Sequence, residues 1–285
     1  MAIASPLLKP QAANPEHKLE SVTIGAWDPN AWNGIVFESK VSGQRLPFAL
    51  RIGSKSEGDF LDGDRIFKAV SLVGPHAPDG SYSLIGWRHR PRAAMVTLEW
   101  SRYDRMTVVG RLKAPPDVQL VLEAYSPYSD ATFMGAYRIG PDGKQILGEN
   151  RIDTVFRPVV HFLAVTDRPV LRSGGYSSVT QLRKAMDGGQ ISEAVDHYPE
   201  AAAGLQFSTG GTSPAHFVAM IGSNPQDLSK EATQLLEAGR IDALLDQRAA
   251  SYEAKRPHIR GLFAEAPDAI GNSMFWNTLY VPSLG

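Results

Sequence analysis

A chain of 285 residues can bury a large core, as one large or two ordinary domains. Its formal net charge of -1, with 43% hydrophobic and 21% charged residues, gives no electrostatic handle for nucleic acid or an anionic membrane surface. Cysteine is absent, which excludes disulfides and thiolate metal sites, and no apolar run reaches the length of a transmembrane helix.

Residues 1–20 are Pro- and Ala-rich and read as a poorly ordered leader. They lack the basic-then-apolar layout of a signal peptide. They also fit the mature end left after such a peptide is removed, so localisation stays open between periplasmic or secreted and cytoplasmic.

Residues 21–224 read as a β-sandwich domain. Short runs rich in Val, Ile, Phe and Tyr alternate with Gly, Pro, Asp and Asn punctuation. In "NGIVFESKV", Ile35, Phe37 and Ser39 share one face and Val36, Glu38 and Lys40 the other. "PFALRIG", "IFKAVSLVG" and "SYSLIGWRH" follow as strands. "AAMVTLEWSRYDRMTVVGRLKAP" reads as a hairpin turning at Arg102 to Arg105, and "VQLVLEAYSP" as one apolar strand. "FMGAYRIGPDGKQILGENRI" is a second hairpin, with Pro141 fixing φ and a glycine where φ must be positive. "VVHFLAVTD" and "AHFVAMIGSN" complete the strands, while the stretch near 176–203 reads as irregular, a short helix or a long loop. Strands at this spacing predict antiparallel sheets packed face to face.

Residues 225–265 read as a helical linker. In "NPQDLSKEATQLLEAG", Leu228, Ala232, Leu235 and Leu236 lie on one helical face and Gly239 supplies a stop. Ile241, Leu244, Leu245 and Tyr252 repeat the pattern in a second helix, expected to end before Pro257. A third helix is expected from Pro267, within a segment 266–285. Ile270, Met274, Phe275 and Leu279 cover much of its surface, and Ser273, Trp276, Asn277 and Tyr280 share another stripe. A helix apolar nearly all round belongs inside a larger body, so either it packs back on the sheets or its natural surroundings lie beyond this sequence.

The segment "APDAIGNSMFWNTLYVPSLG" resembles the opening helix of the (α/α)6-barrel catalytic domain in bacterial glycosidases of the glycoside hydrolase family 63 type. The matching positions are Trp276, Asn277, Thr278, Tyr280 and Pro282. The motif covers about residues 255–285, and the order of β domain, linker helices and barrel entry extends the likeness over residues 20–285. "WDPNAWNG", from Trp27 to Gly34, also looks like family material. The resemblance implies a mainly β fold: an antiparallel, supersandwich-like β-sandwich, a short α-helical linker and the first helix of a missing (α/α)6 barrel. It implies a non-catalytic region of an enzyme acting on α-glucosides, α-mannosides or related glycosides, with the acid and base carboxylates on barrel loops beyond residue 285. This chain alone is then expected to be inactive, with no catalytic residue of its own, no cofactor and no metal. Its partners are a carbohydrate substrate, met through the full-length enzyme, and the missing barrel, with no nucleic acid and no membrane. The alternative is a free-standing β-sandwich carbohydrate-binding or structural protein.

Five residues are candidates for sugar contact. Trp276 and Tyr280 present aromatic faces for a pyranose while Asn277 bonds a hydroxyl; equally, all three are barrel packing. Asp28 and Trp32, with Trp27 and Asn33, build either a carbohydrate-contacting loop or a turn anchoring the first strand. "GWRHRPR" groups Arg88, His89, Arg90 and Arg92 beside Trp87, read as a solvated loop or edge strand, with an anion site as the alternative. The seven histidines form no HxH or HxxxH pair, which argues against histidine-bound zinc. His161 and His216 read as hydrogen-bonded core residues. "DGDR" at 62–65 and "GPDGK" at 140–144 read as turns. Glu123, beside Tyr125 on one strand, is a carboxylate with no evident second carboxylate to work with.

Overall fold

The computed structural model describes residues 18–25, 34–56, 59–61, 70–76, 81–89, 95–126, 136–151, 158–188, 191, 201–211, 213–237 and 239–260. These residues form two antiparallel sheets packed face to face, with helices laid on both outer surfaces. The first sheet runs in the order β1 (Leu19–Gly25), β2 (Ile35–Val41), β3 (Gln44–Ser56), β9 (Gln119–Tyr125), β14 (Ala202–Ser208) and β13 (Val170–Tyr176), with β4 (Asp59–Leu61) paired to β3. The second runs β10 (Ala136–Ile139), β11 (Gln145–Arg151), β12 (Pro158–Thr166), β15 (Ala215–Gly222), β8 (Thr107–Lys113), β7 (Met95–Arg102), β6 (Ser83–Arg88) and β5 (Val70–His76).

The strands form where the period-2 pattern allows one face to be dry. In β2 the burial alternates along the strand, with Ile35, Phe37, Ser39 and Val41 inward. In the middle of the first sheet the alternation disappears: β3 and β9 are buried on both faces, because α1 (Val179–Asp187), Ile191 and the Phe60 side chain of β4 pack on the outer side. Between the sheets, Phe37, Phe48, Tyr137 and Phe162 meet ring to ring, Phe48 stacking on Phe162 across the sandwich at 5.4 Å. Burial of each such ring contributes roughly 1.5–3 kcal/mol. Side-chain hydrogen bonds stitch the sheets inside this apolar layer. Trp87 Nε1 donates to Ser54 Oγ (2.7 Å), Tyr137 Oη to the Tyr125 carbonyl (2.6 Å) and Asn150 Nδ2 to the Pro47 carbonyl (2.9 Å). Each satisfies a polar atom that would otherwise cost about 1–3 kcal/mol to bury.

The expected turns form as their residues dictate. Gly143 sits at φ 70°, and the β10–β11 hairpin closes through Gly140 N to the Gln145 carbonyl at 2.8 Å. Asp104 Oδ1 accepts from Met106 N (2.7 Å) to shape the β7–β8 tip. Strand β1 starts at Leu19, just inside the segment read as leader, because Leu19 and Val22 pack on the core. The stretch near 176–203 holds α1, started by the Ser178 side chain, which accepts from Gln181 N.

After β15, helix α2 (Pro225–Leu236) begins at Asn224, whose side chain accepts from Gln226 N, and buries Leu228, Ala232 and Leu235. Gly239 serves the next helix instead of ending this one: its carbonyl accepts from Ala243 N at 3.0 Å. Helix α3 (Arg240–Arg260) continues past Pro257, against the expected end there. A proline removes one backbone bond at a cost of about 3 kcal/mol, which a helix with several turns already formed can absorb. Both helices pack on the outer face of the second sheet through Val109, Leu163, Val218 and Met220, so the segment read as a linker is fastened to the sandwich from Leu228 to Tyr252. The third expected helix, 267–282, lies outside the described residues.

Candidate functional site

On the outer face of the first sheet, Arg51 of β3 stands directly opposite Glu123 of β9. Arg51 Nε donates to Tyr125 Oη at 2.6 Å, and its guanidinium carbon lies 4.5 Å from the centre of the Tyr125 ring. All three are sealed in, with Arg51 5%, Glu123 1% and Tyr125 5% exposed. Gly53 makes the room for this: a Cβ there would stand 2.5 Å from Glu123 Oε1. Leu182 and Met186 of α1, with Ile191, cover the neighbouring surface over Gly204. Burial pushes the Tyr125 phenol well above its usual range, despite the opposing charge of Arg51. The small recess beside the cluster, lined by Lys55, Phe60, Val121, Met186 and Gln206, has no room for a water molecule. A carboxylate enclosed in this way anchors the fold and cannot reach a substrate.

The cluster sits at one end of the sheet, marked by a single row of register partners: Gly25, Val36, Ala49, Tyr125, Ala202 and Tyr176. The chain leaves the sheet through this row at Gly25, Tyr125 and Tyr176 and re-enters it at Val36 and Ala202. Asp28 and Trp32 belong to the connection that departs at Gly25. They lie outside the described residues, as do Trp276, Asn277 and Tyr280.

The outer face of the second sheet carries a charge network that joins it to α3. Arg111 of β8 reaches Glu99 Oε2 of β7 at 2.5 Å, Asp242 Oδ1 at 3.0 Å and Asp246 Oδ1 at 2.7 Å. Tyr82 Oη donates to the other oxygen of Glu99 at 2.5 Å, and the Tyr82 ring stacks on Tyr252 of α3 at 5.3 Å. Burial lowers the Arg111 pKa, but bonds to Glu99, Asp242 and Asp246 outweigh it and hold the guanidinium charged. Asp242 and Asp246 are four residues apart on α3, so one arginine grips two successive turns. His216 of β15 adds a second grip, with Nδ1 2.7 Å from Asp167 Oδ2 and Nε2 3.1 Å from Asp242 Oδ2.

The remaining sequence candidates resolve into structure. His216 is bonded as expected, but on the outer face and not in the core. His161, also facing outward, has its pKa lowered by burial. In "GWRHRPR", Arg88 is exposed while His89, 2% exposed, turns inward and places Nε2 2.7 Å from Ser54 Oγ. Gly86, Trp87 and Arg88 belong to β6, which lies between β5 and β7 and is no edge strand, while residues 90–92 lie outside the described residues; the inward turn of His89 removes it from any surface anion cluster. Ser54 and His89 resemble a nucleophile and its base, yet Ser54 has no exposed surface, so the pair serves to join the sheets. "GPDGK" is a turn, as read, and "DGDR" lies outside the described residues. The Arg111–Asp242–His216 network was missed; His216 at alternate positions with Val218 and Met220 marked an outward face, but no local signal tied it to an aspartate of α3.

No family model and no curated protein matches this chain. Solved structures that align with it are glycoside hydrolases. A bacterial glucoamylase complexed with acarbose aligns over 88% of this chain and 39% of its own, at 11% identity and a TM-score of 0.54. Two family GH92 enzymes from Bacteroides thetaiotaomicron also align. An inverting mannosidase matches at 10% identity over 84% of this chain and 30% of its own, with a TM-score of 0.42. An α-mannosidase matches at 12% identity over 78% and 31%, with a TM-score of 0.46. The glucoamylase overlap shows a shared fold; the two lower scores add nothing to it. This chain spans well under half the length of each of these proteins.

Proposed function

We propose that this chain is the non-catalytic N-terminal β-sandwich region of a glycoside hydrolase acting on α-glucosides, α-mannosides or related glycosides, and that it buttresses an (α/α)6 catalytic barrel encoded downstream. The observation that carries this reading is the extent of the shared fold. Nearly all of this chain, 88%, aligns with 39% of a bacterial glucoamylase, which leaves most of that enzyme without a counterpart here. The family 63-type motif around Trp276, Asn277 and Tyr280 supports the same assignment. The chemistry of the buried acids agrees with it. Glycoside hydrolysis needs two carboxyl groups with access to the scissile bond. Glu99 is held between Tyr82 and Arg111, and Glu123 is 1% exposed. In this reading Trp276 and Tyr280 stack on sugar, Asn277 bonds a hydroxyl, and Asp28 and Trp32 approach the same substrate from the sandwich.

The test is a paired assay on aryl α-glucosides and α-mannosides. The 285-residue chain is measured beside the same chain extended through its downstream coding sequence. Turnover by the extended protein alone is the expected result. Hydrolysis by the short chain, or a reading frame that encodes no helical barrel after Gly285, overturns the proposal. Within the extended enzyme, Trp276→Ala should raise KM more than it lowers kcat.

A further inference from the structure

The His216 side chain stands between two carboxylates that belong to different parts of the fold. Asp167 lies in the turn between β12 and β13, and its Oδ1 also accepts from the His216 backbone N–H at 2.8 Å. Asp242 lies in the first turn of α3. The imidazole contacts both, Nδ1 at 2.7 Å and Nε2 at 3.1 Å, the second an ion-pair contact off the hydrogen-bonding direction. A neutral imidazole carries one N–H and one lone pair. Either neutral tautomer therefore turns a lone pair against a carboxylate oxygen, and only the imidazolium presents a proton to both.

We infer that His216 is a proton-operated fastener, whose charged form clamps the start of helix α3 to the eight-stranded sheet and whose neutral form releases part of that grip.

The surrounding charges fix the direction. Arg168, beside Asp167, is held at 3.7 Å from Asp167 Oδ1 and donates to the Pro214 carbonyl at 2.6 Å. On β8, Arg111 holds Asp242 Oδ1 and Asp246, and on β7 Glu99 takes the remaining face of Arg111. Helix α2 carries Asp227, Lys230 and Glu231, none of which forms an ion pair with this cluster. The hydrogen bond to Asp167 raises the His216 pKa, burial opposes it, and Asp242 raises it further. Burial raises the Asp242 pKa, but His216 and Arg111 outweigh this and leave it lowered, so Asp242 remains ionised throughout. Because the folded-state pKa of His216 lies above the unfolded 6.5, the stabilisation is complete below that value and is lost as pH rises through the raised one. Arg111 does not titrate in this range, so α3 loosens at its first turn without detaching.

The experiment follows the His216 ring by NMR in the full chain between about pH 5.5 and 9. In the same samples, amide-exchange protection factors, corrected for intrinsic exchange, are measured along α3. The His216 midpoint should lie above the ordinary imidazole value, and protection in the first turn of α3 should fall severalfold as pH rises. His216→Gln, which cannot titrate, should give a flat profile. Asp167→Asn, which leaves the Arg111 grip intact, should lower the midpoint and shift the loss of protection to lower pH; it serves equally if the glutamine variant fails to fold. A midpoint at or below the ordinary value, or the same pH profile in the variants as in the parent, overturns the inference.

Discussion

The two outer faces of the sandwich use charge in opposite ways. Under α1, Arg51, Glu123 and Tyr125 are locked out of water as one compact group. Under α3, Arg111 fans out to three carboxylates whose side-chain exposure rises from 10% at Glu99 through 36% at Asp242 to 67% at Asp246. The first arrangement has no solvent to fall back on. The second grades from dry to wet along a single guanidinium. The lesson is that burial, more than the number of ion pairs, decides how much the fold depends on each charge.

That contrast can be broken from its dry end. Removing the carboxylate with Glu123→Ala leaves the buried Arg51 cation without its cross-strand acid, and should destabilise the fold by about 3 kcal/mol in denaturant unfolding. The double variant Arg51→Met with Glu123→Leu removes both charges and should recover most of that loss, because two apolar side chains leave no charge to desolvate. On the other face, Arg111→Met strands Glu99, which keeps its bond to Tyr82. A loss of about 2 kcal/mol is expected, together with weaker amide protection along α3. Tyr125→Phe deletes one hydrogen bond to Arg51 and should cost about 1 kcal/mol. At the wet end, Asp246→Asn should change stability by no more than about 0.5 kcal/mol and lose even that at high salt. A large effect at Asp246 or a negligible one at Glu123 would reverse the ranking that burial imposes.

The interior of the sandwich offers a control that involves no charge. A Cβ placed on Gly110 would meet the Phe217 ring at 2.3 Å. Gly110→Ala should therefore cost about 1–3 kcal/mol by thermal unfolding, with no salt dependence.

Much of this organisation was legible in the residues. Alternation in "IVFESKV" gave the buried face of β2, "PDG" gave the β10–β11 turn, and the spacing of Leu228, Ala232 and Leu235 gave the dry side of α2. Less legible was β13, "VLRSGGY", whose two glycines and arginine look like loop until its pairing with β14 is formed. The candidate site was read from aromatic and amide residues at 28, 32, 276, 277 and 280. All five lie outside the described residues, and the connection that carries Asp28 and Trp32 departs from the sheet at Gly25, paired with Val36. Glu123 was visible as a lone carboxylate. Its cation was not, because Arg51 lies 72 positions away by number and reaches it only through the β3–β9 pairing.

The sequence by itself determined most of the strands and helices and, where a period of 2 or 3.6 residues is clear, as in β2 and α2, which side stays dry, helped by the φ that proline and glycine favour. Only the tertiary structure decided that β3 lies beside β9, that α2 and α3 cover one sheet while α1 covers the other, and that His216 stands between Asp167 and Asp242. The physical reason is that an apolar face is indifferent to which dry surface it meets. Partners distant in the chain are chosen by how the whole set of faces and buried charges can be satisfied at once.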